Sequence, residues 1–232
     1  ALDTPELSQT AEEIKQSYNV EVNYLGLDLT VTDAPEKVYQ WSTRLGLRVN
    51  TLINNAGMGN SGLFESNELD QYLDIINLNN RAMVELTYFY IQDLKAQEKG
   101  YLLNVSSMEA TLPLPYKAVY TGSKSFIYAF TLALREELKG TGISATVLCP
   151  GSVLTNEDGY RRIQAHGNKG KLFKRLMITY PEIVAKRAIQ GMLAGSQVIV
   201  PNKAPWAIVK FMKLMPTRLK MRILEKIFRV YR

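Results

Sequence analysis

Apolar and polar positions along this chain follow two alternating periods. In residues 6–18, Leu7, Ala11, Ile14 and Tyr18 recur at helical spacing and predict an amphipathic helix. The segment VEVNYLGLDL, 20–29, then reads as a strand. Residues 33–46 read as a helix that ends near Gly46, and NTLINNA, 50–56, as a short buried strand. One long helix is predicted over 67–98, with its first good N-cap at Ser66 or Asn67. GYLLNVSS, 100–107, is a strand, and 118–139 is a second long helix closed by Gly140 and Gly142. ISATVLCPG, 143–151, is a strand, 181–194 a helix, and QVIVP, 197–201, a last strand. Strands separated by helices of this length predict right-handed crossovers and an α/β fold, a doubly wound parallel sheet with helices on both faces. No internal repeat or low-complexity linker interrupts the pattern, so 1–202 read as one domain. Ligands of such sheets bind beyond the carboxyl ends of the strands. Those ends carry DLT (28–30), NNAG (54–57), SS (106–107) and PGSV (150–153).

Composition narrows the picture in three places. A chain of 232 residues with 46% hydrophobic content suits one domain with a sizeable core. No run reaches about 18 consecutive apolar residues, so no transmembrane helix is expected, and the polar, acidic start does not read as a signal peptide. The single cysteine, Cys149, allows no internal disulfide and fits a reducing, cytoplasmic setting; within ATVLCP it reads as a buried strand thiol. The single histidine, His166, stands in a polar stretch, QAHGNKG, and no metal site is expected. The net charge of +6 is uneven: residues 203–232 carry nine Lys/Arg and one acid, Glu225, leaving −2 for residues 1–202.

The stretch GMGNSG, Gly57–Gly62, matches the spacing of a dinucleotide-binding turn. That turn needs a preceding strand, a helix opening at the glycines, and an acid at the end of the next strand. Here the strand is present, but LFES intervenes before any helix, and the next strand ends in serines. The pattern therefore reads as a loop at a strand end.

Other positions align better. Tyr120 and Lys124 in YTGSK share one helix face at i and i+4. Ser107 ends a strand 13 positions before Tyr120, and Asn79 lies inside a predicted helix, where asparagine is a poor residue. Taken together, DL (28–29), NNAG (54–57), Asn79, NVSS (104–107), YTGSK (120–124) and PGSVLT (150–155) resemble the short-chain dehydrogenase/reductase family in order and spacing, from residue 1 to about 201.

The resemblance implies an NAD(P)-dependent oxidoreductase that interconverts a ketone or aldehyde with an alcohol. Tyr120 would be the general acid/base, its phenol pKa lowered by the Lys124 ammonium and the cationic nicotinamide. Lys124 would also bind the nicotinamide ribose. Ser107 would hydrogen-bond the substrate oxygen, and Asn79 would hold a water linking Lys124 to solvent. For the cofactor, NAD or NADP, Asp28 would contact the adenine amino group and Leu29 would flank the ring. Asn55, Ala56 and Gly57 would lie along the adenosine ribose and the middle of the cofactor, and Pro150, Gly151, Val153 and Thr155 would flank the nicotinamide. From the residues alone, Gly57 also reads as a tight turn and Asp28 as a solvated acid. The long helices imply a homodimer or homotetramer, and the substrate a small carbonyl or alcohol compound. A rival expectation is a catalytically silent binding or scaffold protein on the same fold.

The family opens with a strand, a glycine-rich turn, a helix and a second strand; by the resemblance, Ala1 falls where the helix after that second strand should begin. The resemblance thus implies roughly 35 residues upstream, the usual size of such a unit, which would also set the choice between NAD and NADP. The alternative is a truncated chain that binds no dinucleotide. Residues 156–180 are expected to form a lid, with apolar positions that suit a hydrophobic or lipid-like substrate. The basic segment 203–232 allows two readings: an amphipathic element on an anionic membrane surface, or a helix packed over the substrate cleft with its lysines in solvent. Nucleic-acid binding lacks a groove-entering helix or stacking aromatics.

Overall fold

Parallel strands joined through helices are what the alternating periods call for, and a computed structural model describing residues 1–154 and 178–232 has that architecture. Thr155, His166 and most of the expected lid lie outside the described residues. Strands β1 (Thr51–Asn54), β2 (Gly100–Val105), β3 (Ile143–Leu148) and β6 (Val198–Ile199) form one sheet in the order β1-β2-β3-β6, all parallel. A second, two-stranded parallel pair joins β4 (Ser152–Val153) to β5 (Ile178–Thr179). The period-2 alternation of β2 sorts its side chains to two faces. Leu103 packs with Val184, Ala188 and Met192 of α6 (Pro181–Leu193). Leu102 packs on the other side with Leu94 of α4 (Ala82–Lys95) and near Leu138, which follows α5 (Ala118–Glu137). Helices therefore cover both faces, and every sheet strand ends at the same edge.

The amino-terminal helix α1 spans Pro5–Tyr18, but of its apolar stripe only Ala11 is buried. The segment 20–29, expected as a strand, runs without one. The reason is the absence of a ladder: its Leu27 N–H donates to the Ala1 carbonyl at 2.6 Å, and β1 pairs with β2 alone among the described residues. Helix α2 (Ala34–Arg44) packs on α4, where Ser42 and Tyr90 share a buried hydrogen bond of 2.6 Å and Tyr39 stacks edge-on to Tyr90.

The long helix expected over 67–98 is three pieces, preceded by a 3₁₀ turn at Phe64–Ser66: α3 spans Leu69–Ile76, a π-helical turn covers Asn77–Arg81, and α4 follows. Its N-cap is Glu68 rather than Ser66 or Asn67. The Asn67 amide is engaged elsewhere, donating to the Leu63 carbonyl and the Tyr72 hydroxyl at 3.2 Å each. The basic segment is likewise two helices, α7 (Lys203–Lys213) and α8 (Thr217–Phe228), parted at Pro216, whose ring cannot continue α7. Their inner faces bury Met212 and Leu224 against Leu112 and Leu114.

Candidate active site

Beyond β1 the backbone of Asn55, Ala56 and Gly57 is exposed at the carboxyl edge of the sheet. The next residue, Met58, is held by a side-chain amide acting as a peptide group. Its N–H donates to Asn79 Oδ1 and its carbonyl accepts from Asn79 Nδ2, both at 2.9 Å. Asn79 is 1% exposed, so this pairing satisfies an amide that would otherwise be costly to bury. The π turn delivers it. One extra residue in the turn rotates Asn79 and Asn80 toward α5, where Asn79 Nδ2 also reaches Ser123 Oγ and Asn80 Nδ2 reaches the Ser123 carbonyl, each at 2.9 Å.

Helix α5 carries Tyr120 and Lys124 one turn apart. Lys124 is 6% exposed, and its ammonium donates to the Val105 carbonyl at the end of β2, 3.0 Å away. Burial pulls its pKa down to about 8, so it stays largely protonated at neutral pH. Ser106 Oγ donates to the Lys124 carbonyl at 2.7 Å and fastens the helix to the strand end. The half-buried Tyr120 ring has its centre 6.0 Å from Lys124 Nζ. Ser107 follows on the same strand end, buried, its Oγ accepting from the Glu109 N–H at 3.1 Å.

Two glycines of GMGNSG matter for close approach rather than for phosphate. A Cβ at Gly57 would stand 3.1 Å from both Asn79 Oδ1 and Lys124 Nζ, and a Cβ at Gly59 would collide with the Tyr120 ring. The loop therefore lies directly over the lysine and the tyrosine, and no α-helix opens until Leu69. Gly57, Asn79 and Lys124 come together at these distances, with Tyr120 under Gly59 and Ser107 at the adjoining strand end.

The remaining candidates sit around this cluster. The Asp28 carboxylate accepts from the Thr30 N–H and hydroxyl at 2.8 Å each, and the Thr30 N–H bond, first, holds its pKa below the usual range. Leu29 is half-buried in the same turn. Arg81, from the π turn, ties that turn to the site by donating to the Thr30 carbonyl at 2.7 Å. The Pro150 carbonyl accepts from the Met108 N–H at 2.9 Å, joining the loop after β3 to the Ser107 loop. Gly151 and Val153 are half-buried, with Val153 paired to Thr179. Cys149 is fully buried and burial raises its thiol to about 12, which leaves it inert.

Sequence reasoning missed Gly59, Asn80, Arg81 and Ser123. Arg81 and Asn80 adjoin Asn79, and their polar side chains inside a predicted helix were the available signal. It also missed a cleft of about 280 Å³, lined by Asn60, Phe64, Tyr72, Tyr116 and Lys117, which shares none of the cluster's residues and adjoins Gly59 along the chain through Asn60. Asn60 Nδ2 is buried there and meets no hydrogen-bond partner among the described residues. Tyr116 donates to Glu225 of α8 at 3.0 Å, so the carboxy-terminal helix braces one wall.

A family model described as short chain dehydrogenase matches residues 2–165. A mouse very-long-chain 3-oxoacyl-CoA reductase is 30% identical over 153 residues, covering 64% of this chain and 48% of the relative. The human 17-beta-hydroxysteroid dehydrogenase type 3 is 28% identical over 201 residues, covering 84% and 64%. The chain thus spans about half to two-thirds of the length of these relatives. Among solved structures, a short-chain dehydrogenase from Sphingobium yanoikuyae in complex with NADPH superimposes with a TM-score of 0.75 at 23% identity, covering 93% of this chain and 85% of that one, a likeness of fold.

Proposed function

The chain belongs to the short-chain dehydrogenase family, and on that premise we propose that it is an NAD(P)-dependent oxidoreductase interconverting a carbonyl compound and its alcohol. The observation that carries the reading is the buried Lys124 ammonium, one turn from Tyr120 and flush against Gly57 and Asn79. A nicotinamide cofactor fits these residues. The exposed backbone of Asn55–Gly57 has no side chain at Gly57, where even a Cβ would press on Lys124 and Asn79. Asn55, Ala56, Gly57, Lys124, Pro150, Gly151 and Val153 would hold it, with Asp28 and Leu29 toward its adenine end. When bound, it supplies or accepts the hydride.

The chain's own groups move the proton. A phenol near pKa 10 is a weak base at neutral pH, and a cation held close favours its phenolate. Lys124 provides that cation, and among the described residues its ammonium donates to a neutral carbonyl, that of Val105. In reduction Tyr120 gives its proton to the developing alkoxide, and in oxidation it takes it back. The Ser107 hydroxyl, held at the strand end, hydrogen-bonds the substrate oxygen and fixes it for Tyr120. Asn79 keeps the Met58 loop closed over both, and would also hold a water serving Lys124. The aromatic lining of the cleft suits a bulky, lipid-like carbonyl compound, in keeping with the 3-oxoacyl-CoA and hydroxysteroid names of the relatives.

The test is NADH and NADPH oxidation with a chain-length series of 3-oxoacyl-CoA esters and with 17-ketosteroids, for wild type and Tyr120→Phe. Loss of the general acid is expected to lower kcat by about 10²–10⁴-fold. Turnover unchanged by that substitution would refute the assignment. Absence of both turnover and cofactor binding would instead favour a silent binding protein.

A further inference from the structure

Helices α7 and α8 are amphipathic twice over. Their inner faces are already used, with Met212 and Leu224 buried on Leu112 and Leu114. Their outer faces carry a second apolar stripe that nothing among the described residues covers. On α7, Ala207, Ile208 and Phe211 recur at helical spacing and Leu214 continues the line, with Phe211 67% and Leu214 85% exposed. On α8, Leu219 and Ile227 repeat it at i and i+8, and Val230 follows, exposed, in the 3₁₀ turn after the helix, Arg229–Tyr231. Arg218 and Lys226 stand one position before Leu219 and Ile227, Arg222 lies one turn from each, and Lys210 adjoins Phe211.

Exposed Phe and Leu flanked by same-sign charge are not what solubility alone would produce. Large exposed apolar side chains mark a surface that meets another phase or partner. The charge decides which. Residues 203–232 carry nine basic residues and one acid, and that acid, Glu225, is engaged with Arg229 and Tyr116. A two-fold contact between copies would set this face against itself, cation against cation. A bilayer with anionic headgroups complements it on both counts: acyl chains for the Phe and Leu, phosphates and carboxylates for the Arg and Lys. No described helix is long and apolar enough to cross a membrane, and the stripe suits an element lying in the interface.

We propose that α7 and α8 form a docking face for an anionic membrane surface, with Phe211 and Leu214 entering the acyl boundary and Arg218, Arg222 and Lys226 pairing with headgroups. The helix that carries half of this face is the one whose Glu225 holds Tyr116 at the cleft wall, so docking seats the cleft beside the lipid.

Co-sedimentation of the full chain with vesicles of phosphatidylcholine, with and without phosphatidylserine, tests this. Binding is expected to the anionic vesicles and to weaken with added salt. The triple variant Arg218→Gln/Arg222→Gln/Lys226→Gln should lower partitioning by about a hundredfold, given the worth of each basic residue at an anionic surface. The variant Phe211→Ser/Leu214→Ser should lower it at least tenfold by roughly the transfer energy of two apolar side chains. The salt series on wild type needs no variant to fold. Equal binding to neutral and anionic vesicles, or no binding, would overturn the proposal. So would a shift of the Phe211→Ser/Leu214→Ser variant from dimer to monomer in sedimentation velocity with vesicles ignored, which would make the face a contact between copies. Because vesicle binding is read without turnover, its failure leaves the oxidoreductase reading standing.

Discussion

Lys124→Met separates the energetic cost of the site from its chemistry. Burial lowers the Lys124 pKa from 10.5 to about 8. The unfolded chain therefore binds its proton more tightly than the folded one, and the charged group opposes folding. That lowering corresponds to about 3 kcal/mol at neutral pH. The sign follows from linkage: between the folded and unfolded pKa values the unfolded state holds more protons, so stability rises with pH across that window. Integrated between about pH 7 and about pH 9.5, the wild type should gain about 2 kcal/mol relative to Lys124→Met. Other groups titrate there too. The Cys149 thiol, raised to about 12, favours the folded state at neutral pH and loses that contribution as pH climbs. It is present in both proteins and cancels in the difference. Urea unfolding of wild type and variant at the two pH values reads the quantity directly. At neutral pH the variant also escapes the desolvation cost, while leaving the Val105 carbonyl without its donor, at about 1–3 kcal/mol. Its net stability should thus lie near or above wild type even as turnover collapses. A wild-type-minus-variant difference that stays flat from pH 7 to pH 9.5 would refute the reasoning, because it would mean the ammonium is solvated.

Two further substitutions probe the loop over the site. Gly59→Ala should force the Tyr120 ring aside and lower kcat/KM on the order of 10²-fold, with cofactor binding measured by nucleotide fluorescence little changed. A fully active Gly59→Ala protein would show that the loop does not press on the tyrosine. Asn79→Ala should remove both Met58 bonds and cost about 2–4 kcal/mol for the stranded backbone groups, seen as a lowered Tm and faster amide exchange at Met58.

What the sequence made legible followed from rules that act locally. Alternation within β2 and β3, and helical spacing in α5 and α6, are enforced by burial on one or two faces, and they appear where expected. The strand-end tokens NNAG and NVSS were legible for the same reason. The extended segment 20–29 was not, because a strand exists only through its neighbour, and propensity cannot say whether one is there. The π turn was hidden because Asn77–Arg81 are compatible with an α-helix; only the tertiary partners, Met58 and Ser123, select the extra residue. The break between α7 and α8 had a visible signal, Pro216, which the overall amphipathic pattern obscured. The glycines of GMGNSG were visible and their purpose was not. A spacing rule asks whether a phosphate could approach, whereas Gly57 and Gly59 make room for Lys124 and Tyr120, residues more than sixty positions away.

The placement of Tyr120 and Lys124 depends on a buried polar chain that contributes little to hydrophobic stability. Asn54 and Asn104 face each other across the β1–β2 register, with Asn54 Nδ2 donating to Asn104 Oδ1 at 2.8 Å and to Thr87 Oγ1 of α4 at 3.2 Å. Asn104 Nδ2 donates in turn to Thr131 Oγ1 of α5 at 2.9 Å, and Thr131 closes the chain on the Ile127 carbonyl at 2.7 Å. Leucines of similar volume would bury as well and would let α5 slide or rotate against the sheet. Directional bonds do not, since each displaced partner would leave a buried amide unmet. The register of α5 on β2 is thereby fixed about two turns below Lys124, with Ser106 fixing it again at Lys124 itself. An ammonium that must meet one carbonyl, and a phenol that must lie under one glycine, need that rotation set to within a fraction of an ångström. A polar interior beneath the strand ends supplies it where apolar packing alone would leave several arrangements close in energy.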